Sequence, residues 1–196
     1  MSKTLLPKMG AAALVAVLAA PLGAYAESNL ATGNGALSAN ANVDFQITIP
    51  KFLSLRVGTV GATIDMVSFN VPAANVGNGT PVAGTGGNVG GGAVSAAVLG
   101  NSGNVSLQAT TGGAISDGTD TIAWSQITTA TSNPSLAAPV LANGASGIVT
   151  VNAVSGVVNQ SATWTYSYTN SAVVPAGTYG GVNVNNGRVT YTASVP

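Results

Sequence analysis

The feature that most constrains the fold is a strict alternation of apolar and polar residues over positions 37–49. The odd positions of this 13-residue stretch are all apolar: Leu37, Ala39, Ala41, Val43, Phe45, Ile47 and Ile49. The even positions between them are all polar. A period of two residues is typical of a β-strand with one buried face. Because an average strand has about 5–6 residues, this predicted strand is unusually long, and its first half needs something to pack against.

Further strand patterns follow, whereas helix-forming sequence is scarce after residue 26. Gly, Asn, Thr and Val dominate there, and Glu, Lys, Arg, Gln and Met are rare. Dipeptides such as Asn-Gly and Asp-Gly, which favour turns, separate the patterns. Short strands at this spacing predict an all-β, antiparallel sandwich or barrel. The predicted strands cover residues 52–57, 63–71, 93–99, 104–111, 121–128, 147–154, 162–169 and 188–195.

The first 26 residues have the features of a cleaved secretory signal peptide. Lys3 and Lys8 form a basic start, residues 10–20 an apolar centre, and Ala24-Tyr25-Ala26 a small-residue cleavage site. The alternative is an uncleaved membrane anchor, but the apolar centre is much shorter than the roughly 20 residues that span a bilayer. We therefore expect a secreted protein.

Composition excludes several classes of function. After residue 26 the only basic residues are Lys51, Arg56 and Arg188, which are too few to neutralise a run of phosphates in a nucleic acid. The 196-residue chain has no cysteine and no histidine, so the usual zinc, copper and haem ligand sets are missing. Its formal net charge is zero, and near-neutral chains tend to associate. We therefore expect a protein that assembles or lies in a matrix.

The sequence offers no catalytic, cofactor-binding or metal-binding motif. No histidine is present to activate a serine or threonine, and the G-x-S-x-G motif does not occur. Asp117 and Asp120 have the spacing of metal ligands, but Asp in a D-G-T-D stretch is also ordinary turn chemistry. Asp65 is interpreted as a solvent-facing strand residue. We therefore expect no enzymatic activity.

Two features leave a ligand-binding role open. Trp164, Tyr166 and Tyr168 share one face of a predicted strand, and together with Trp124 they are the aromatic side chains suited to stacking on a sugar ring. The other face of that strand is polar, which favours burial of the aromatic face in the core. The glycine-rich segment 72–92 is either a functional loop, such as a binding lid, or a mobile excursion with nothing to bury.

The last predicted strand has the same design as the first. Its apolar positions are Val189, Tyr191, Ala193 and Val195. Amphipathic strands at both ends of a fold leave free edges, and free edges invite pairing with another chain. In β-augmentation an N-terminal strand completes the sheet of a neighbour, and a head-to-tail contact of this kind builds a fibre.

The signal, the early amphipathic strand, the P-A-G-T-Y segment at 175–179 and the terminal R-V-T-Y-T-A-S strand resemble those of pilin-type secreted bacterial proteins. The nearest resemblance is to the spore-coat-protein-U-like subunits of archaic chaperone–usher fimbriae. It implies an incomplete immunoglobulin-like β-sandwich that assembles with other copies of itself by donor-strand exchange. It also implies two partners, a periplasmic chaperone and an outer-membrane usher, and passage through the periplasm to the cell surface or an extracellular fibre.

Applied to this chain, the resemblance implies a donor strand near the N-terminus and an acceptor edge at the last strand. The donor strand would present Leu37, Ala39, Ala41 and Val43, and the C-terminal acceptor edge would present Val189, Tyr191, Ala193 and Val195. The chain departs from the pattern in having two alanines in the donor, where larger side chains would bury more apolar area. It also lacks the disulfide common in classical pilins.

The predicted organisation is a signal peptide at 1–26, an N-terminal extension at 27–42, and one β-sandwich domain at 43–196 with the glycine-rich loop at 72–92. The predicted function is a structural subunit of an extracellular fibre, fimbria or surface matrix. Two alternatives stay open at this point. One is a self-complete secreted sandwich whose first strand crosses between the sheets at Pro50. The other is a module that binds carbohydrate or another surface ligand through Trp124 and Trp164.

Overall fold

The computed structural model describes residues 29–196, and the predicted signal peptide lies outside them. The chain divides into two compact units, Met1–Thr48 and Ile49–Pro196. In the described part of the first unit, residues 29–48, no helix or strand is assigned. The second unit contains all the described strands and three short 3-10 helices at Ala73–Asn75, Trp124–Gln126 and Pro134–Leu136. Within residues 29–196, no helix has the length and apolarity needed to cross a membrane.

β-strands make up most of the regular secondary structure of the second unit. The strands are β1 (Leu53–Val57), β2 (Val67–Ser68), β3 (Val82–Ala83), β4 (Thr85–Gly86), β5 (Ala93–Gly100), β6 (Val105–Thr111), β7 (Ile115–Ser116), β8 (Thr121–Ile122), β9 (Ile127–Thr131), β10 (Val149–Val151), β11 (Val158–Tyr168) and β12 (Val189–Ser194).

Two antiparallel sheets enclose one core. The first sheet has the order β1-β5-β11-β9, and β3 pairs with the same side of β11 as β5 does. The second sheet has the order β10-β6-β12. Two small ribbons, β2 with β4 and β7 with β8, complete the pairing. The prediction of an all-β, antiparallel fold is therefore confirmed.

The core follows the period-two patterns of the sequence. β5 contributes Val94, Ala96 and Val98, and β6 contributes Val105, Leu107 and Ala109, all of them buried. The aromatic face of β11 is buried as well, as predicted, because Trp164, Tyr166 and Tyr168 belong to the same core. The Trp164 indole N–H donates a hydrogen bond to the Leu136 carbonyl at 3.0 Å, so its polar atom is satisfied inside the protein.

Three predicted strands are shorter than expected. Of residues 147–154 only Val149–Val151 form a strand. Of residues 63–71 only Val67 and Ser68 form a strand. Asp65 precedes it and accepts hydrogen bonds from the backbone N–H and the hydroxyl of Thr59, so it fixes a turn and the interpretation as a strand residue is wrong. Within residues 121–128 the chain leaves the sheet in a 3-10 turn at Trp124–Gln126, where the Trp124 N–H donates to Asn143 Oδ1 at 2.9 Å.

The D-G-T-D stretch is the turn between β7 and β8. Asp117 Oδ1 accepts the backbone N–H of Asp120 at 2.7 Å and that of Thr119 at 2.9 Å. These two hydrogen bonds, the one from Asp120 first, lower the pKa of the Asp117 carboxyl below its ordinary value. The interpretation of this stretch as turn chemistry is confirmed.

The glycine-rich segment 72–92 is part of the fold and not a free excursion. β3 continues the line of β5, because the backbone of Tyr166 hydrogen-bonds both Gly84 and Gly92. Asn170, which is 1% exposed, holds the start of the segment: its Nδ2 donates to the Asn75 carbonyl at 2.7 Å and its Oδ1 accepts from the Gly77 N–H at 2.9 Å. The expectation that this segment has nothing to bury is wrong.

Candidate functional site

One side of the two-sheet unit is closed by its own chain. The segment between β9 and β10 runs from the first sheet to the second and places Leu136 and Leu141 in the core, at 0% and 3% exposure. Side-chain hydroxyls hold its backbone, since Thr131 Oγ1 donates to the Leu136 carbonyl and Thr111 Oγ1 donates to the Ala142 carbonyl. This segment therefore covers the core between β9 and β10.

The opposite side is bordered by β1 and β12, the outermost strands of the two sheets. Among the described residues, β1 pairs with β5 alone and β12 pairs with β6 alone. Their Cα atoms come within 8 Å of each other, but no ladder joins them. Each strand therefore presents an outer row of backbone N–H and C=O groups without a strand partner, which is the property that makes sheet edges reactive towards another strand.

The inward side chains along these two edges are only half-buried. We call this region the open groove, and it consists of Leu53, Leu55 and Val57 with Val189, Tyr191, Ala193 and Val195. All seven pack against the core, yet each keeps an intermediate exposure, whereas the inward residues of β5 and β6 are buried. A cleft of about 360 Å³ follows β1, lined by Ser54, Leu55, Arg56, Val57, Thr59, Val60 and Gly61. Both edge strands thus leave apolar side chains partly exposed.

Strand register shows which groove residues of β1 and β12 lie at the same height along the strands, and we call each such height a level. Leu55 pairs with Val98 and Ala193 with Leu107. Val98 and Leu107 lie at equal distances along the chain from the turn that joins β5 to β6, so Leu55 and Ala193 share a level. By the same count Val57, paired with Ala96, shares a level with Tyr191, paired with Ala109. The smallest side chain of the groove, the methyl group of Ala193, therefore lies at the level of Leu55, beside the larger Tyr191.

Tyr191 forms the floor of the groove at the level next to Ala193. Its ring lies 5.2 Å from the Trp164 ring, and its hydroxyl is 2.8 Å from the hydroxyl of Tyr166. Burial raises the pKa of Tyr191 well above its ordinary value, and the proximity of Tyr166 raises it further. Burial also raises the pKa of Tyr166. These contacts fix the Tyr191 side chain, so the shape of the groove at this level is preset.

The N-terminal segment has the complementary property. The long predicted strand at 37–49 is not formed in the described residues, because a strand requires a ladder partner. Its large apolar side chains are exposed, by 54% at Leu37, 72% at Val43, 89% at Phe45, 85% at Ile47 and 74% at Ile49. Ala39 and Ala41 are exposed too. Isolated apolar residues on a surface are common, but a regular line of them marks an interaction site.

Asn101 fixes the residues that lead into β1. Its Oδ1 accepts the Phe52 N–H at 2.9 Å, and its Nδ2 donates to the Pro50 carbonyl at 2.8 Å. The Asn101 N–H also donates to the Phe52 carbonyl at 3.4 Å. These bonds extend the β1–β5 pairing beyond Leu53, so residues 50–52 continue the line of β1 and make no turn beside its free edge.

A second, polar cleft of about 450 Å³ lies at the start of β12. Its lining is rich in amide and hydroxyl groups and consists of Thr110, Thr111, Gly112, Asn183, Asn185, Asn186, Gly187, Arg188 and Thr190. In the part of the chain that the structure describes, no three His, Cys, Asp or Glu side chains come together as a metal site would require. Trp124 and Trp164 are buried, so neither forms a surface platform for a sugar.

Comparison with protein-family models, with curated proteins and with solved structures gives no match to this chain. The structure places the predicted edge residues Val189, Tyr191, Ala193 and Val195 along the free edge of β12. The sequence reasoning did not assign the facing edge, although the alternation of F-L-S-L-R-V at 52–57 carries Leu53, Leu55 and Val57 at every second position. It also missed Asn101, for which the sequence gives no signal beyond a turn.

Proposed function

We propose that this chain is a secreted structural subunit of an extracellular fibre, fimbria or surface matrix. Its two sheets form an incomplete immunoglobulin-like sandwich, and the N-terminal segment of another copy completes it. One observation carries the proposal: the sandwich is closed by its own Leu136 and Leu141 on one side, whereas the other side leaves seven core residues half-buried between two unpaired edges.

The segment before β1 has the chemistry that the open groove requires. It alternates apolar with polar residues, and its apolar side chains are exposed. Burial of a large apolar side chain contributes roughly 1.5–3 kcal/mol, so the four at Val43, Phe45, Ile47 and Ile49 would contribute on the order of 6–12 kcal/mol. Ordering the segment and joining two molecules offsets a large part of this gain. Backbone hydrogen bonds to a free edge add to it.

Strand addition to one edge is the simplest mode of completion. Neighbouring strands lie about 4.8 Å apart, and a strand bonded to both edges would need roughly twice that spacing between β1 and β12. Since their Cα atoms approach within 8 Å, pairing with β12 alone requires the least movement. The side chains of the added strand would then cover the half-buried residues of both edges.

The proposal includes partners that protect the groove before assembly. A free edge with apolar side chains beside it is prone to unspecific pairing, so a subunit in the periplasm needs a temporary cover. A periplasmic chaperone would supply a strand to the C-terminal edge, and an outer-membrane usher would release the subunit into the growing fibre. A carbohydrate-binding role through Trp124 and Trp164 has less support, since both side chains lie in the core.

The experiment is gel electrophoresis of the mature protein sheared from its native cell surface, with and without boiling in SDS. Strand-complemented polymers should give a ladder that collapses to one band only after boiling. A variant with Phe45→Asp and Ile47→Asp should lose the ladder, because two charges would enter an apolar groove. The matched control has Gln46→Asp and Thr48→Asp, on the polar line that already contains Asp44, and should keep it. A single low-mass band from the unchanged protein in both lanes would refute the proposal.

A further inference from the structure

We infer, on the basis of the proposed function, that the groove takes residues 43–49 of a second copy, with Phe45 seated at the level of Ala193 and Leu55. This moves the centre of the donor strand from the predicted Leu37–Val43 to the residues next to β1. Sequence alternation alone does not distinguish the two segments, since both belong to one 13-residue pattern.

The size of the side chains favours residues 43–49. The groove has one level at each of Val189, Tyr191, Ala193 and Val195. At every level the apolar side chains are partly exposed, so an added strand would have to bury them. The segment 43–49 offers four large apolar side chains in succession, whereas 37–43 offers two alanines at its centre. Because van der Waals contact and apolar burial both grow with side-chain area, the larger set covers the groove more completely.

The shape of the groove then fixes the register. Tyr191 occupies its level with a ring that is held by the hydroxyl of Tyr166 and by the Trp164 ring. The next level has only the methyl group of Ala193, beside Leu55. Phe45 is the largest apolar side chain of the segment, and it fits where the acceptor side chain is smallest. A shift of two residues along β12 would set Phe45 against Tyr191 and leave the space above Ala193 to a smaller side chain.

The donor comes from a second copy because of how β1 begins. Asn101 holds Pro50 and Phe52 in line with β1 through hydrogen bonds of 2.8 and 2.9 Å. To lie beside its own β1, the segment 43–49 would have to turn back within residues 50–52 and break these bonds. The same segment of another molecule reaches the groove with the bonds intact.

Paired cysteines test the register directly, because the chain has none of its own. Inward residues directly opposite each other on adjacent antiparallel strands have Cα atoms about 4.5–5.5 Å apart, within the range that a disulfide bridges. Full-length protein with Phe45→Cys and Ala193→Cys should give, after mild oxidation, a ladder that survives boiling and collapses only with reductant. Controls are the pairs Ala41→Cys with Ala193→Cys and Gln46→Cys with Ala193→Cys, and each single-cysteine protein. None of these should yield a boiling-resistant ladder.

The outcomes separate the register from the function. A boiling-resistant ladder from the Ala41 pair, with none from the Phe45 pair, would overturn the register while strand exchange stands. A disulfide formed within one chain by the Phe45 pair, detected as an oxidised monomer, would overturn the assignment to a second copy. If the unchanged protein gives no ladder under any condition, the proposed function itself fails.

Discussion

The hydroxyl groups of Tyr166 in β11 and Tyr191 in β12 lie 2.8 Å apart, and this hydrogen bond joins the two sheets directly beneath the open groove. Tyr191 also packs on Trp164, which is fully buried in β11. The last strand is thus attached to the first sheet through aromatic side chains, while its outer edge pairs with no described strand. The groove therefore has a floor held by a hydrogen bond and ring packing, and an edge that pairs with no described strand. This combination is suited to accept an added strand.

The tyrosine pair should make the protein sensitive to alkali. An unfolded tyrosine ionises near pH 10, whereas burial raises the pKa of Tyr191 and Tyr166 in the fold. Above about pH 10 the unfolded chain therefore binds fewer protons than the folded one, and the free energy of unfolding falls until the folded tyrosines ionise as well. Urea unfolding between about pH 8 and 11.5 measures this. The double variant Tyr166→Phe with Tyr191→Phe should lose less stability over that window, and an equal loss in both proteins would contradict the assignment.

A charge at Ala193 in the open groove should block assembly without unfolding the subunit. In Ala193→Arg the long side chain can bend outward to water from its half-buried position, so the circular dichroism spectrum should stay that of the unchanged protein. The SDS-resistant ladder should be lost, because the guanidinium group would occupy the space needed by the incoming strand. Thr192→Arg is the matched control, since Thr192 is the exposed outward neighbour on the same strand. A ladder of normal length from Ala193→Arg would place the acceptor surface elsewhere.

Removal of the Asn101 side chain should shift the balance between polymer and monomer. In Asn101→Ala the hydrogen bonds to Pro50 and Phe52 are lost, each contributing roughly 0.5–1.5 kcal/mol, and the N-terminal segment gains the freedom to fold back on its own groove. Size-exclusion chromatography should show a larger monomer fraction. Asn101→Asp keeps the acceptor for the Phe52 N–H and loses only the donor to Pro50, so its monomer fraction should lie between those of the other two. Identical profiles for all three proteins would show that Asn101 does not direct the segment.

The close approach of Gly84 and Gly92 should make Gly92 less tolerant of a side chain than Gly90, its near neighbour in the glycine-rich segment. A Cβ on Gly92 would lie 2.5 Å from the Gly84 Cα, whereas a Cβ on Gly90 would meet nothing within 4 Å. Both residues have positive φ, +73° and +85°, so alanine at either costs about 1–2 kcal/mol in backbone strain. Gly92→Ala should add a packing penalty of about 1–3 kcal/mol, which corresponds to a further decrease in Tm of roughly 2–12 °C. Equal Tm values for Gly92→Ala and Gly90→Ala would mean that the backbones do not touch.

Local patterns were sufficient for the class of the fold and for most of its strands. β5, β6, β11 and β12 lie where alternation predicted them, since each has one face in the core and a period of two residues is visible without knowing the partner. The burial of Trp164, Tyr166 and Tyr168 follows from the same contrast between faces. The turn at Asp117 was also predictable, because an Asp-Gly sequence provides its own hydrogen-bond acceptor and a flexible residue.

Tertiary structure alone decided which alternating segments become strands and which form no ladder. Residues 37–49 carry the clearest strand pattern in the chain and yet form no ladder in the described residues, because hydrogen bonds to a second strand are non-local and no periodicity encodes them. The same reason explains why 63–71 shortens to Val67–Ser68 and why Gly84 and Gly92, eight residues apart, share one line of a sheet through Tyr166. The open groove is likewise a property of pairing: the sequence determined that β1 and β12 are amphipathic, and the arrangement of the two sheets left both of them at an edge.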